Sequence, residues 1–170
     1  MEIINATIED INTLMALYDS AIAHQKAVSD LVWKGFDKAM VLKEIEENRQ
    51  WKIIIEGNVA CVFMTAFNDP AIWDERNKDA AIYIHRISTN PDFRGRGFVK
   101  RITNWAIDYA KANRIDFVRL DTWQDNPKLH QLYLNAGYTY IGRKTMLPAA
   151  DLPVHYWGTT LGLFEIRVVE

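Results

Sequence analysis

The stretch from Ala80 to Thr122 constrains the fold more than any other part of the chain. Ala80 to Thr89 has the apolar content of a strand, and Asn90-Pro91-Asp92 ends it. Phe98, Ile102, Trp105, Ala106, Tyr109 and Ala110 then recur at helical spacing, and Ile115 to Thr122 reads as a second strand. Two strands joined through a helix form a parallel pair, with a right-handed crossover in about 98% of such units.

The flanking segments fall around this unit. Met1 to Asn5 reads as a short strand. Thr7 is a helix N-cap with Asp10 in the capping-box position, followed by Ile11, Met15, Tyr18 and Ile22 at helical spacing. A second helix starts after Asp37 and runs to about Asn48. Trp51 to Glu56 and Val59 to Phe67 form a hairpin about a Gly57-Asn58 turn. Asn68 to Asp79 reads as a loop. Asn126-Pro127 opens a helix that Gly137 closes, and Tyr138 to Met146 and Thr159 to Val169 are the last strands. The hairpin makes part of the sheet antiparallel. The expectation is an α/β (α+β) mixed sheet of about seven strands with about four helices.

With 170 residues, no internal repeat and no linker rich in Gly, Ser or Pro, residues 1–170 read as a single domain. Twenty basic against 22 acidic residues give a net charge of −2, so there is no basic field for a nucleic-acid backbone. No apolar run approaches the roughly 18 residues of a membrane span. The N-terminus lacks a basic segment followed by an apolar one, so no signal peptide is expected. Cys61 is the single cysteine, which excludes an internal disulfide and a cysteine-based zinc site. No His-rich spacing is present either, so no metal is expected. The cytoplasm is the default compartment.

Arg94-Gly95-Arg96-Gly97-Phe98-Val99 stands directly between a strand and a helix. Two glycines let the backbone turn tightly and approach a ligand, and the helix that follows presents unpaired N–H groups with a partial positive charge. Arg94, Arg96 and Lys100 add formal charge. Together they suit a diphosphate or similar anion. The segment is neither a Walker A loop nor a Rossmann fingerprint. The competing reading is a solvated basic turn that caps a helix. Asn126 and Tyr133 are seven residues apart, two helical turns, and so share a side of their helix. Taken singly, Asn126 is a helix cap and Tyr133 a core aromatic. As a pair they follow the strand beside the anion loop, where such sheets bind ligands.

Ile84-His85-Arg86-Ile87-Ser88-Thr89-Asn90-Pro91-Asp92-Phe93-Arg94-Gly95-Arg96-Gly97-Phe98-Val99 resembles the central motif of the GNAT acetyltransferase superfamily. Leu120-Asp121-Thr122, with Asn126, Tyr133 and Ala136-Gly137-Tyr138, is similar to its next motif, and the element order also matches. The resemblance implies an acyl-CoA donor, acetyl-CoA, as co-substrate, and no metal. It implies that backbone amides of Arg94 through Val99 hold the CoA pyrophosphate, that Ile87 and Thr89 pair with the pantetheine arm, and that Asn126 reaches the same arm. Tyr133 would lie near the thioester sulfur. Val99 departs from the family's usual small residue, but the binding groups are amides.

Acyl transfer to an amine needs a base for the amine, a donor for the oxyanion and a proton for the departing thiolate. Tyr133 is the candidate acid, because its ordinary pKa near ~10 suits a thiolate. His85, on the central strand, and His155, near the final hairpin, are the candidate bases, with Asp74 and Glu75 as further carboxylates. His24 and His130 have no motif around them and read as surface residues; Cys61 reads as an inert core residue. The Ala21–Asp37 connection, the Asn68–Asp79 loop and the Thr145–Tyr156 segment would border the acceptor. Their Trp33, Trp73, Tyr156 and Trp157 either hold a cationic amine or simply pack over the sheet edge. The expected partner is a small-molecule or peptide amine, with neither nucleic acid nor membrane, and the chain a monomer or homodimer. The alternative is a non-catalytic acyl-CoA-binding sensor or interaction module.

Overall fold

The computed structural model describes residues 1–148 and 156–168. It contains seven strands in the order β1-β2-β3-β4-β5-β7-β6. These are β1 (Glu2–Asn5), β2 (Gln50–Ile55), β3 (Asn58–Ala66), β4 (Ala81–Thr89), β5 (Phe117–Trp123), β6 (Thr139–Thr145) and β7 (Thr160–Arg167). The α-helices among the described residues are α1 (Ile11–Val28), α2 (Lys38–Glu46), the single turn α3 (Pro70–Trp73), α4 (Phe98–Asn113) and α5 (Pro127–Ala136). The mixed sheet is the expected one. β4 and β5 are parallel, from Ala81↔Phe117 to Tyr83↔Arg119, while β1–β2, β2–β3, β5–β7 and β6–β7 are antiparallel.

Two compact units make up the chain: Met1–Thr65 with His85–Phe98, and Ala66–Ile84 with Val99–Glu170. In the first, Thr7 donates from its amide to the Asp10 carboxylate at 2.7 Å, so the capping box forms, opening a short 3-10 turn ahead of α1. The α1 stripe of Ile11, Leu14, Tyr18 and Ile22 is buried, and Val41 and Ile45 of α2 share its core. A buried polar chain runs through this core. The Tyr18 hydroxyl donates to Gln50 at 2.7 Å, Gln50 donates to Glu44 at 2.8 Å, and Glu44 pairs with Arg86. Arg86 sits at φ +53° in β4, a rare angle for a non-glycine residue, and its guanidinium lies 4.7 Å from the Phe36 ring.

The hairpin turn is one residue earlier than expected. Glu56 and Gly57 carry the positive φ values, +50° and +78°, which a primed turn requires at both central positions; Asn58 already belongs to β3. The second unit holds a further departure. Asn68 to Asp79 is not an open loop, because Pro70 starts α3 and a 3-10 segment, Asp74–Lys78, follows it. This connection closes over Arg119 of β5, which is 1% exposed. Arg119 donates to Asp79, to Glu165 at 2.8 Å and to the Arg76 carbonyl at 2.6 Å, with Trp73 and Phe117 against its guanidinium. A buried guanidinium is tolerable only with this completeness of partners.

Candidate active site

The end of β4 carries Ile87 and Thr89, beyond the last β4–β5 ladder pair, Tyr83↔Arg119. Asn90 fixes this end to β3: its amide donates to the Ala60 carbonyl at 2.9 Å and its side chain to the Val59 carbonyl at 3.0 Å. The Asn90 side-chain oxygen also accepts from Asp92, starting the 3-10 turn Pro91–Phe93. Arg94, Gly95, Arg96 and Gly97 are all exposed, with Arg96 stacked 4.9 Å from the Phe93 ring. Gly95 and Gly97 are left-handed, at φ +77° and +69°, with open space where a Cβ would stand. A loop of this shape, directly ahead of α4, offers backbone N–H groups that have no intrahelical partner. These residues fit an anionic group. Phe98 is buried at the start of α4 and Val99 is half-buried, its carbonyl accepting from Thr103 at 2.8 Å.

Lys100 is placed differently from the expectation of a phosphate contact. Its ammonium donates to the Ala136 carbonyl at the end of α5, at 2.9 Å. Asn126 caps the other end of α5, accepting from the Leu129 amide at 3.1 Å, with Pro127 at the first helical position. Tyr133 is 8% exposed and packs against Tyr138 and Phe164. Burial raises its hydroxyl pKa well above the ordinary phenol range, with Tyr138 and Asp121 adding to the shift. Its proton is therefore present at all physiological pH values.

His85, the next residue of β4 after Ile84, is pushed down to about 3 by burial, then by Arg86 and Arg49. It is a neutral imidazole in the resting protein. His155 lies outside the described residues. Trp73 is 2% exposed, its ring tilted against Tyr83 and lying under the Arg119 guanidinium, and so belongs to the core. Trp33 packs on Phe36, and Tyr156 on Trp123. Asp74 pairs with Lys144 and Glu75 with Lys78, both carboxylates exposed. Cys61 is buried and its thiol is pushed up to about 12 by desolvation, as an inert core residue requires. His24 is exposed, but His130 is not a surface residue. It is half-buried, with its ring nitrogen 3.2 Å from the Trp123 carbonyl, and a Cβ at Gly162 would stand 3.0 Å from its ring.

A pair of carboxyls stands here that the sequence alone does not reveal. Arg119, Asp121 and Trp123 alternate onto one face of β5, the face that Trp73 covers through Arg119 and Tyr156 through Trp123. Asp69, at the start of α3, brings a carboxylate oxygen within 4.8 Å of one from Asp121. Burial pushes Asp69 up to about 7; burial, then the Asp69 charge, pushes Asp121 up to about 8. Such a pair holds and releases a proton near neutrality. The available signal is a single carboxylate, beside Arg119 and Thr122, on a strand otherwise built of Phe117, Val118, Leu120 and Trp123.

Residues 24–138 match the family model of the Acetyltransferase (GNAT) family. The chain is 32% identical over 77 residues to the uncharacterized N-acetyltransferase YesJ of Bacillus subtilis, covering 44% of this chain and 41% of that relative. The chain thus spans about two fifths of that relative's length. A GNAT-family acetyltransferase from Listeria monocytogenes superposes with TM-score 0.80 at 22% identity, over 98% of this chain and 94% of that one. The yncA protein of Salmonella typhimurium, solved with its cofactor acetyl-CoA, gives TM-score 0.70 at 15% identity, over 99% and 94% of the two chains. Two left-handed glycines ahead of α4, a capped α5 bearing Tyr133 and a family match across both place this chain in the GNAT acetyltransferase family.

Proposed function

We propose that the protein transfers an acetyl group from acetyl-CoA to the primary amine of a small molecule or peptide, by direct attack of the amine on the thioester. The family match carries this reading, since its span of residues 24–138 contains both the Arg94–Val99 loop and Tyr133. The acetyl-CoA bound to the Salmonella yncA protein supports the choice of donor.

In this reading the amides of Arg94 through Val99 hold the donor's pyrophosphate, with Arg94 and Arg96 adding charge at the exposed rim. Ile87 and Thr89 pair with the pantetheine arm through their backbone, and Asn126 approaches it. The donor supplies an activated acyl carbon and a leaving thiolate. The amine nitrogen forms the new C–N bond, the C–S bond breaks, and two protons move. The amine's proton passes to the Asp121–Asp69 pair, whose raised affinity for a proton suits a base working near pH 7. The thiolate takes its proton from the Tyr133 hydroxyl, which burial keeps protonated but also makes a weaker acid than the ordinary phenol expected from the sequence, and the tyrosinate is reprotonated from water. His85 contributes as a neutral hydrogen-bonding group, because its depressed pKa makes it a weak proton acceptor.

No described helix is long and apolar enough to cross a membrane. We take the cytoplasm as the working compartment and a monomer or homodimer as the working form. The experiment is thiol release from acetyl-CoA across a panel of polyamines, amino acids and peptide N-termini. Turnover with at least one amine supports the reading. Tight acetyl-CoA binding without turnover on any of them replaces it with a non-catalytic sensor.

A further inference from the structure

The end of α5 and the placement of Tyr133 are one structure. Gly137, left-handed at φ +106°, donates its amide to the Leu134 carbonyl at 3.0 Å, and Tyr138 donates to the Tyr133 carbonyl at 3.1 Å. These are the two hydrogen bonds of a Schellman cap. The apolar contact that accompanies such a cap is here the edge-on pairing of the Tyr138 and Tyr133 rings, 6.1 Å apart. Tyr133 is therefore both the residue whose carbonyl the cap satisfies and the ring on which the cap packs.

The Schellman bonds do not reach the Ala136 carbonyl. Lys100 does, from the first turn of α4, at 2.9 Å. The ammonium sits at the negative end of the α5 dipole, where a cation is favoured. One turn further along α4, Thr103 lies beside the Tyr138 side chain. Lys100 is the α4 residue whose contact is charged and lies on the helix terminus itself.

We infer that Lys100 is a positioning residue for Tyr133, closing the C-terminus of α5 from the first turn of α4 and so fixing the tyrosine against the helix that follows the glycine loop. The inference rests on Tyr133 as the proton donor. It also reassigns Lys100, which the sequence alone suggests as one more charge for the donor's phosphates. The two roles separate kinetically. A phosphate ligand acts on donor affinity, whereas a cap on α5 acts on the step Tyr133 serves.

The test compares wild type, Lys100→Met, Lys100→Arg, Tyr133→Phe and the Tyr133→Phe/Lys100→Met double variant. Acetyl-CoA affinity is measured by calorimetry, and kcat and KM by thiol release with the best amine of the panel. Lys100→Met is expected to lower kcat about tenfold, the scale of a small misplacement of a reacting group. It should leave the acetyl-CoA Kd within about twofold, Lys100→Arg should restore most of kcat, and the loss should vanish on the Tyr133→Phe background. A tenfold weaker acetyl-CoA Kd with unchanged kcat overturns the inference and makes Lys100 a donor ligand. An unchanged kcat in Tyr133→Phe overturns the proton-donor reading instead, which is a separate failure. Amide exchange at Tyr138 gives a readout independent of turnover. It should speed up about tenfold in Lys100→Met, or in Lys100→Gln if the methionine variant does not fold, and unchanged exchange contradicts the inference.

Discussion

Asp121 on β5 and Asp69 at the start of α3 bring their carboxylates within 4.8 Å of each other, 52 residues apart in the chain. Like charges this close do not both ionise readily, and burial adds to the cost. The pair is expected to titrate as a unit, with apparent values displaced upward from ordinary carboxylates. As base, it must be deprotonated to work, so kcat/KM rises with pH through the neutral range. Asp121→Asn should remove that acid limb and lower kcat by roughly 10²-fold or more. A pH–rate profile with its acid limb intact in this variant would show that the base lies elsewhere.

The same group makes stability depend on pH, with a definite sign. Asp121 has a folded pKa of about 8 against an ordinary 3.8, so the folded state holds an extra proton between those values. Its contribution is fully present below pH 3.8 and is lost as pH rises through about 8. His85 acts oppositely. Its folded pKa of about 3 lies below the ordinary 6.5, so its contribution is present above pH 6.5 and is lost as pH falls toward 3. Thermal melting between pH 5 and 8.5 should show Asp121→Asn gaining on wild type as pH rises. His85→Gln should gain on wild type as pH is lowered from 6.5.

Tyr133→Phe removes one hydroxyl and leaves the ring contacts with Tyr138 and Phe164. The fold is expected to persist. Turnover should fall by roughly 10²-fold or more, while acetyl-CoA binds within about threefold of wild type. A loss confined to KM would show that the hydroxyl binds and does not donate.

Glu44 is 4% exposed and is the counter-charge of Arg86. Glu44→Leu leaves a buried guanidinium without its carboxylate, at a cost of about 3–5 kcal/mol. Replacing both, Glu44→Leu with Arg86→Met, should recover most of that loss in urea unfolding. A double variant as unstable as the single one would mean that the ion pair is not what couples them.

Much of the architecture is legible because its signals are local. Asn126-Pro127 and Gly137 bracket α5 as caps do in isolation, and Thr7 with Asp10 marks the approach to α1. The hairpin was displaced by one residue because Asn58 and Glu56 both neighbour the glycine, and only the required pair of positive φ values selects Glu56. The 68–79 connection reads as a loop in sequence because its polar residues hide a burial that depends on Arg119, some 40 residues away. The Gly95–Gly97 turn ahead of α4 and Tyr133 on α5 are legible from position and spacing, while the roles proposed for them come from the family resemblance. The carboxyl pair is not legible, because Asp69 sits in an Asn-Asp-Pro segment that reads as a turn, and nothing local links it to β5. His130 reads as a surface residue for a related reason: its place is opened by the absent side chain of Gly162, on a distant strand.

Binding of the donor tests the account most directly. Acetyl-CoA is titrated calorimetrically into wild type and into an Arg94→Ala/Gly97→Val variant, whose β-branched residue at φ +69° costs about 1–2 kcal/mol of strain and distorts the loop. The account predicts micromolar binding to wild type and its loss in the variant, with both proteins folded by circular dichroism. No binding to wild type at millimolar acetyl-CoA would contradict it, leaving the fold of the family without its donor.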